Sequence, residues 1–325
     1  MGFAIAQSVW ISPRPFSLYL KPTARCDLRC AICNRWQSSQ SRTDELSLDE
    51  IKVILTKFRR AGAMILSLWG GEPTLRQDLP EILAEAKRLG LHTSMCTNCN
   101  TLAMKADAIL PNLDTLLCSL DGVGETHDRQ RGVPGLFNKV LASLEAARRF
   151  PHLRLKIWAT VHTRNSGEQE QLARLAHAHG AWIEFFPVSL VAGHNNKDVP
   201  NPELLAKVFA DIARLKKAGY PVWNADRVID KMARGTRFRC NFGRIGIHID
   251  HRGTVYSCES PAGEQLHEWG HYADIKLDHL YGSPEYKAAV KRLETCDRCR
   301  LPCVMELADN LMIDFADMFL QSMRR

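Results

Sequence analysis

From residue 16 to about residue 220, short apolar runs alternate with amphipathic ones, and no other feature restricts the fold as much. Phe16–Lys21 (FSLYLK), Met64–Trp69 (MILSLW), His92–Thr97, Thr115–Leu120 (TLLCSL), Leu153–Val161 (LRLKIWATV) and Trp182–Val188 (WIEFFPV) read as strands. Helices are expected over Ser47–Gly62, Leu79–Leu89, Thr101–Leu110, Phe137–Phe150, Ser166–Gly180 and Pro202–Gly219. Ser47, with Glu50 three residues on, forms a capping box for the first of these helices. Repeated βα units joined by right-handed crossovers build a parallel sheet that curls towards a barrel. The expected fold class is therefore α/β, a partial (β/α)6 TIM-type barrel open on one side. In such architectures the chemistry sits on loops at the C-terminal ends of the strands.

After about residue 225 the pattern changes. Gly243–Asp250 and Gly253–Cys258 read as a hairpin turning at His251-Arg252-Gly253. A loop-rich stretch follows, then a helix near Ser283–Leu293, the segment CDRCRLPC and a final helix over Val304–Met323. The apolar stripe of that last helix is expected to pack on the protein itself. The chain divides into an N-terminal segment (1–15), the barrel (16–225) and a small cysteine-rich α+β extension (226–325).

Composition excludes several classes. No run of 18 apolar residues appears, so no membrane span is expected. The N-terminus lacks a basic start and a small-residue cleavage site, which predicts a cytoplasmic protein. The net charge of +7 is scattered along the chain, whereas a nucleic-acid partner would need a concentrated stripe. The 11 cysteines form three groups, and their odd number argues against a complete disulfide framework. Clustered cysteines in a cytosolic chain point to metal or redox chemistry.

Cys26-Asp-Leu-Arg-Cys30-Ala-Ile-Cys33 directly follows the first strand. Three thiolates on one short loop suit a single metal site, but closed zinc needs four ligands and no fourth Cys or His lies nearby. Three ligands on a four-iron cluster leave one iron open for a cofactor or substrate. Gly70-Gly71-Glu72-Pro73 follows the second strand. Its glycines let the backbone approach a ligand closely, and Glu72 can pair with an ammonium. Thr97-Asn98-Cys99 ends the third strand, and Ser119-Leu-Asp121-Gly122 ends the fourth, followed by His127-Asp128 and Arg131-Gly132.

In that order, at successive strand ends, these segments resemble the signature of the radical S-adenosylmethionine (SAM) superfamily over roughly residues 16–190. The resemblance implies a [4Fe–4S] cluster on Cys26, Cys30 and Cys33, with its open iron chelated by S-adenosyl-L-methionine. Reductive cleavage would then give a 5′-deoxyadenosyl radical that abstracts a substrate hydrogen. It further implies that Gly70, Gly71, Glu72 and Pro73 hold the cofactor's amino group, with Asn98 in the family's TNG element, where Cys99 replaces the glycine. Ser119 and Asp121 are implied near the ribose, Arg131 near the carboxylate, and Val161 and Asn165 near adenine and ribose. Trp36 takes an aromatic position that usually follows the third cysteine directly; here Asn34 intervenes. Cys96, Cys99 and Cys118 are read as packing or pocket-lining thiols rather than a third cluster.

Cys240, Cys258, Cys296, Cys299 and Cys303 lie in the extension. A Cys-x2-Cys knuckle opposite a hairpin-borne cysteine suits tetrahedral zinc. The same arrangement resembles the SPASM/twitch extension of the family, which implies one auxiliary [4Fe–4S] cluster; which four of the five cysteines bind is left open. The function expected is an oxidoreductase-type radical SAM enzyme, oxidising or rearranging a small molecule such as a sugar, cyclitol or cofactor precursor. A peptide- or protein-modifying enzyme is the alternative, held second because only about 15 residues precede the first strand. A non-catalytic iron–sulfur or zinc electron-transfer or sensor protein is the reading from another class, and it would have no use for Gly70–Pro73, Ser119, Asp121 and Arg131. The expected partners are the substrate and an electron donor such as a flavodoxin or ferredoxin. Glu184, Asp250 and His248, polar residues near strand ends, are expected to be structural.

Overall fold

The computed structural model describes residues 14–37, 44–191, 194–236, 238–296, 298–299 and 301. Most of the N-terminal segment, the final helix expected over 304–323 and Cys303 lie outside the described residues.

Six strands run parallel in sequence order: β1 (Ser17–Leu20), β2 (Ile65–Leu68), β3 (His92–Thr97), β4 (Thr115–Ser119), β5 (Arg154–Val161) and β6 (Trp182–Pro187). Between them lie α1 (Leu48–Arg60), α2 (Leu79–Arg88), α3 (Leu102–Ile109), α4 (Glu125–Arg131), α5 (Leu136–Ala147) and α6 (Gln169–Ala178). The partial barrel expected from the βα repeats is present, and its sheet does not close. Most of these helices lay one apolar stripe on the sheet. In α1 the stripe is Ile51, Ile54, Leu55 and Phe58, at the spacing of one helical face. Its capping box is formed as expected: Ser47 N donates to Glu50 Oε2 at 2.8 Å and Glu50 N to Ser47 Oγ at 3.3 Å.

After β6 come α7 (Pro202–Lys217), α8 (Asp226–Ala233) and a single helical turn, α9 (Phe242–Ile245). β7 (Gly246–Ile249) then pairs in parallel with β1, and β8 (Thr254–Glu259) and β9 (Gln265–His271) follow antiparallel. The resulting sheet has nine strands in the order β6-β5-β4-β3-β2-β1-β7-β8-β9. The hairpin expected in the extension therefore continues the barrel sheet, and part of the stretch read as loop is β9. Gly246 permits the junction, because a Cβ there would meet Phe242 Cζ and Tyr19 Cε2, both at 2.7 Å. Two further helices, α10 (Leu277–Gly282) and α11 (Pro284–Leu293), complete the described fold.

Candidate active site

The stem leading into the Cys26–Cys33 loop is tied down by ions. Arg25 grips Glu45 with two bonds, Nε–Oε1 at 2.6 Å and Nη2–Oε2 at 3.1 Å, and Thr23 donates to the same carboxylate. Buried Arg76 donates to the carbonyls of Pro22 and Leu46 at 3.0 and 2.9 Å. Within the loop Leu28 is buried, and Ala31 N donates to Gln130 O at 2.9 Å, seating the loop on α4. Trp36 Nε1 reaches Cys30 O at 3.4 Å. The loop cysteines interact electrostatically, Cys26 with Cys30 and Cys30 with Cys33. Burial pushes the Cys26 thiol up to about 12 and the Cys30 thiol up to about 11, against a partial lowering by Arg131 at Cys30. Among the described residues, no group of three or more His, Cys, Asp or Glu side chains converges tightly enough for a single ion. The donor set itself, three thiols on one loop, suits soft iron–sulfur chemistry.

The Gly-Gly-Glu-Pro turn packs directly on that stem. Gly70 has φ +123°, and a Cβ there would lie 2.2 Å from Lys21 Cγ; at Gly71 it would lie 2.0 Å from Arg25 O. The glycines thus permit close approach of one strand end to the other. Gly71 N donates to Thr23 O at 3.1 Å and Glu72 N to Arg25 O at 2.8 Å. Pro73 starts a short helical turn that Glu72 caps.

Glu72 is held by groups of the protein itself. Its carboxylate is buried and accepts from Thr74 N (3.1 Å), Thr74 Oγ1 (2.7 Å), Thr97 Oγ1 (2.7 Å) and Asn98 N (2.7 Å). Burial raises its pKa, and these donors offset only part of the rise. The side chain is a brace between the ends of β2 and β3. Asn98 in turn donates to Asp27 Oδ1 at 2.8 Å, and Asn100 donates to Asp27 Oδ2 at 2.7 Å, so the third strand end holds the cysteine loop. Cys99 adopts φ +62°, the left-handed region where glycine is at ease, which gives a physical reason for the family's glycine there.

The fourth and fifth strand ends form a second brace. Asp121 is fully buried; its Oδ2 accepts from Arg131 Nε at 2.6 Å and its Oδ1 from Thr160 N at 2.9 Å. Burial opposes its charge, but Arg131, His127 and the Thr160 N–H together hold the carboxyl below its ordinary value. Arg131 also reaches the Cys30 thiol. Asn165 donates to the carbonyls of Asp121 and Thr160 and accepts from His162 N at 2.8 Å. Asp121 and Asn165, expected at the ribose and adenine, thus have their polar atoms engaged inside the protein; Val161 is buried beside them. Ser119 Oγ lies 3.9 Å from Cys96 Sγ. Glu184 is structural as expected, accepting from Lys156 at 3.2 Å and Trp158 Nε1 at 2.8 Å. His248 is enclosed by Tyr19, Trp69, Phe242 and Tyr256. Cys96, Cys99 and Cys118 are free thiols, the last two fully within the core.

In the C-terminal region burial pushes the Cys240 thiol up to about 12, with the nearby charges of Cys299 and Cys296 adding to the rise. Cys258, on β8, has its thiol 3.7 Å from Glu259 O. Cys303 lies outside the described residues.

Sequence reasoning named Gly70 and Gly71 but not the charged walls of the pocket between the cysteine loop and the β7–β9 strands. It has a volume of about 590 Å³ and is lined by Lys21, Asn34, Arg35, Gly70, Gly71, His251 and Glu259, among others. Glu259 accepts from Lys21 Nζ at 2.7 Å and Arg35 Nε at 2.9 Å, and Asn34 Nδ2 donates to Ala262 O at 3.3 Å. The one available signal was positional: Lys21 and Arg35 flank the cysteine loop in sequence, on its two sides.

A profile of the radical SAM superfamily matches residues 20–176. An AdoMet-dependent heme synthase of Methanosarcina barkeri is 35% identical over 184 residues, 54% of this chain and 52% of that protein. A PqqA peptide cyclase of Rhizobium meliloti is 27% identical over 265 residues, covering 76% of this chain and 68% of the cyclase. The chain spans about half the length, or less, of the first curated relatives it matches. Among solved structures, Streptococcus suis SuiB bound to S-adenosylmethionine superposes with a TM-score of 0.69 at 16% identity, over 84% of this chain and 67% of SuiB, a likeness of fold.

Proposed function

Because the chain belongs to the radical SAM superfamily, we propose that it removes a hydrogen atom from a substrate lodged between the barrel and the β7–β9 strands. Cys26, Cys30 and Cys33 would hold a [4Fe–4S] cluster, and the Gly70–Gly71 backbone would meet the amino group of SAM. When bound, these two groups supply reductive cleavage of the sulfonium and the 5′-deoxyadenosyl radical that takes the hydrogen.

The observation that carries this reading is the way the other strand ends are fastened to the thiol loop. Gly71 and Glu72 bond to its stem, Asn98 and Asn100 hold Asp27, and Arg131, paired with Asp121, lowers the Cys30 thiol. A sensor or electron carrier needs the thiols but not this convergence. Such bracing holds a cofactor within the tolerance that hydrogen transfer demands. Glu72, Asp121 and Asn165 act as positioning residues, while Ser119 and Val161 remain candidates for touching the nucleoside.

Cys240, Cys296 and Cys299, with Cys258 or Cys303, would hold one auxiliary cluster of the SPASM/twitch kind, able to accept an electron from a substrate radical. A low-potential donor such as a flavodoxin or ferredoxin would reduce the first cluster. The half-enclosed 590 Å³ pocket and the heme-synthase relative support a small-molecule substrate. The PqqA peptide cyclase, matched over 68% of its length, supports a peptide equally.

Anaerobic reconstitution followed by SAM and dithionite tests the proposal. The loaded protein is expected to release 5′-deoxyadenosine, and Cys30→Ala is expected to abolish it. A fully iron-loaded chain that yields none overturns the reading.

A further inference from the structure

The pocket beside Gly70 and Gly71 is built around shared charge. Lys21 ends β1, Arg35 follows the cysteine loop, and both contact Glu259 at the end of β8. The Glu259 side chain is 1% exposed, whereas those of Lys21 and Arg35 are 12% and 24% exposed. Tyr256 donates to Glu259 Oε2 at 2.9 Å as well. Both cations also lie over the Trp69 ring, at 5.3 and 5.0 Å from its centroid. Two cations therefore share one carboxylate and one indole.

The remaining charges facing the pocket do not balance this. Asp250 accepts from Arg252 N, Thr254 N and Gln265 Nε2, at 2.9, 2.9 and 2.8 Å, and Arg252 reaches out to Asp44 at 3.1 Å. Arg252 is thus paired outside the pocket, whereas Lys21 and Arg35 share the single carboxylate of Glu259, a local net charge of +1. Two polar side chains in the same wall lack partners: His251, 4% exposed, at both ring nitrogens, and Asn34 at Oδ1. Buried polar atoms of this kind need a partner, and a ligand supplies one.

We infer that this pocket receives the substrate by a carboxylate gripped by Lys21 and Arg35, with a neighbouring N–H or O–H of the substrate donating to Asn34. His251 completes the polar wall. A monoanion matches the net charge of +1. A phosphate dianion would place excess negative charge beside buried Glu259, which makes it the poorer fit. The inference rests on the reading of this chain as a radical SAM enzyme with its substrate between barrel and hairpin, and it names the class of that substrate.

The test uses reconstituted, SAM-loaded protein without reductant and two probes, N-acetylphenylalanine and its primary amide, with binding read by saturation-transfer NMR. The acid is expected to bind at least about tenfold more tightly than the amide. Arg35→Met, which leaves the Lys21–Glu259 pair, is expected to weaken the acid by about tenfold and spare the amide. Arg35→Lys should fall between, and Glu259→Gln should strengthen acid binding. Equal binding of acid and amide overturns the inference. So does displacement of the acid by equimolar inorganic phosphate, which would point to a phosphate ester, or, on reconstituted protein without SAM, by added SAM, which would make this the cofactor's own carboxylate site. Because no reductant is used, acid binding by a chain that never cleaves SAM refutes the radical reading alone. Cleavage without acid binding refutes the pocket alone.

Discussion

Glu72 shows how much a single side chain can differ in role from what its type suggests. A carboxylate after two glycines invites an ammonium, and this one also accepts from Thr74, Thr97 and Asn98. Glu72→Gln leaves at least one of those donors facing an amide hydrogen, so it should lower unfolding stability by about 1–3 kcal/mol in urea titrations. It should also reduce SAM cleavage. Cys99 bears a different strain. Its φ of +62° disfavours any Cβ, so Cys99→Gly should be more stable than Cys99→Ala by about 1 kcal/mol, measured the same way.

His248 and His127 carry the pH dependence. Burial lowers His248 to about 3 and His127 to about 4, below the ordinary 6.5. Between pH 6.5 and about 4 the unfolded chain binds more protons than the folded one. Stability from both residues is therefore complete above pH 6.5 and lost as pH falls, by up to about 1.4 kcal/mol per pH unit for each histidine. Thermal midpoints from pH 7 to 5 check this, and His248→Phe, a ring suited to an aromatic enclosure, should remove part of the slope.

At the scale of elements, the six parallel strands were legible because each is an apolar run bounded by turn residues. The first helix announced its start through Ser47 and Glu50. Other elements had no comparable pattern. The α4 sequence ETHDRQR contains no apolar residue, although the fold buries its His127 and Gln130. β9, QLHEWGH, sits at a sheet edge with no fully buried residue, so it lacks a hydrophobic face to read. The most consequential contact between elements is the turn at Gly71 against the cysteine stem. Gly71→Ala places a methyl group 2.0 Å from Arg25 O and should separate the two strand ends. The expected outcome is a protein that loads iron poorly and releases little 5′-deoxyadenosine, read by iron content and product assay on the same sample.

At the scale of the molecule, β7 joins the barrel edge through β1, and residues of the C-terminal region reach back to the thiol loop through Glu259 and Ala262. The strand that leads into the thiol loop and the strand that bears Cys258 thus belong to one continuous sheet. Metal occupancy of each group can be counted. Wild-type protein should bind about eight irons if both groups carry four-iron clusters, and Cys240→Ser should reduce this to about four. Because ligation replaces protons on thiols that burial has pushed up, loading should also raise the unfolding temperature over that of the apo protein.

The thiol loop, the Gly-Gly-Glu-Pro turn and their order along six βα units were determined by the sequence alone, because local spacing and hydrophobic period are one-dimensional properties. Tertiary structure decided what those residues touch. Glu72, Asp121 and Asn165 became braces because burial obliges each polar atom to find a partner, and the nearest donors and acceptors lie on neighbouring strand ends. The pocket shared by Lys21, Arg35 and Glu259 arises only from the parallel pairing of β7 with β1. That pairing joins positions more than two hundred residues apart, and no local pattern encodes it.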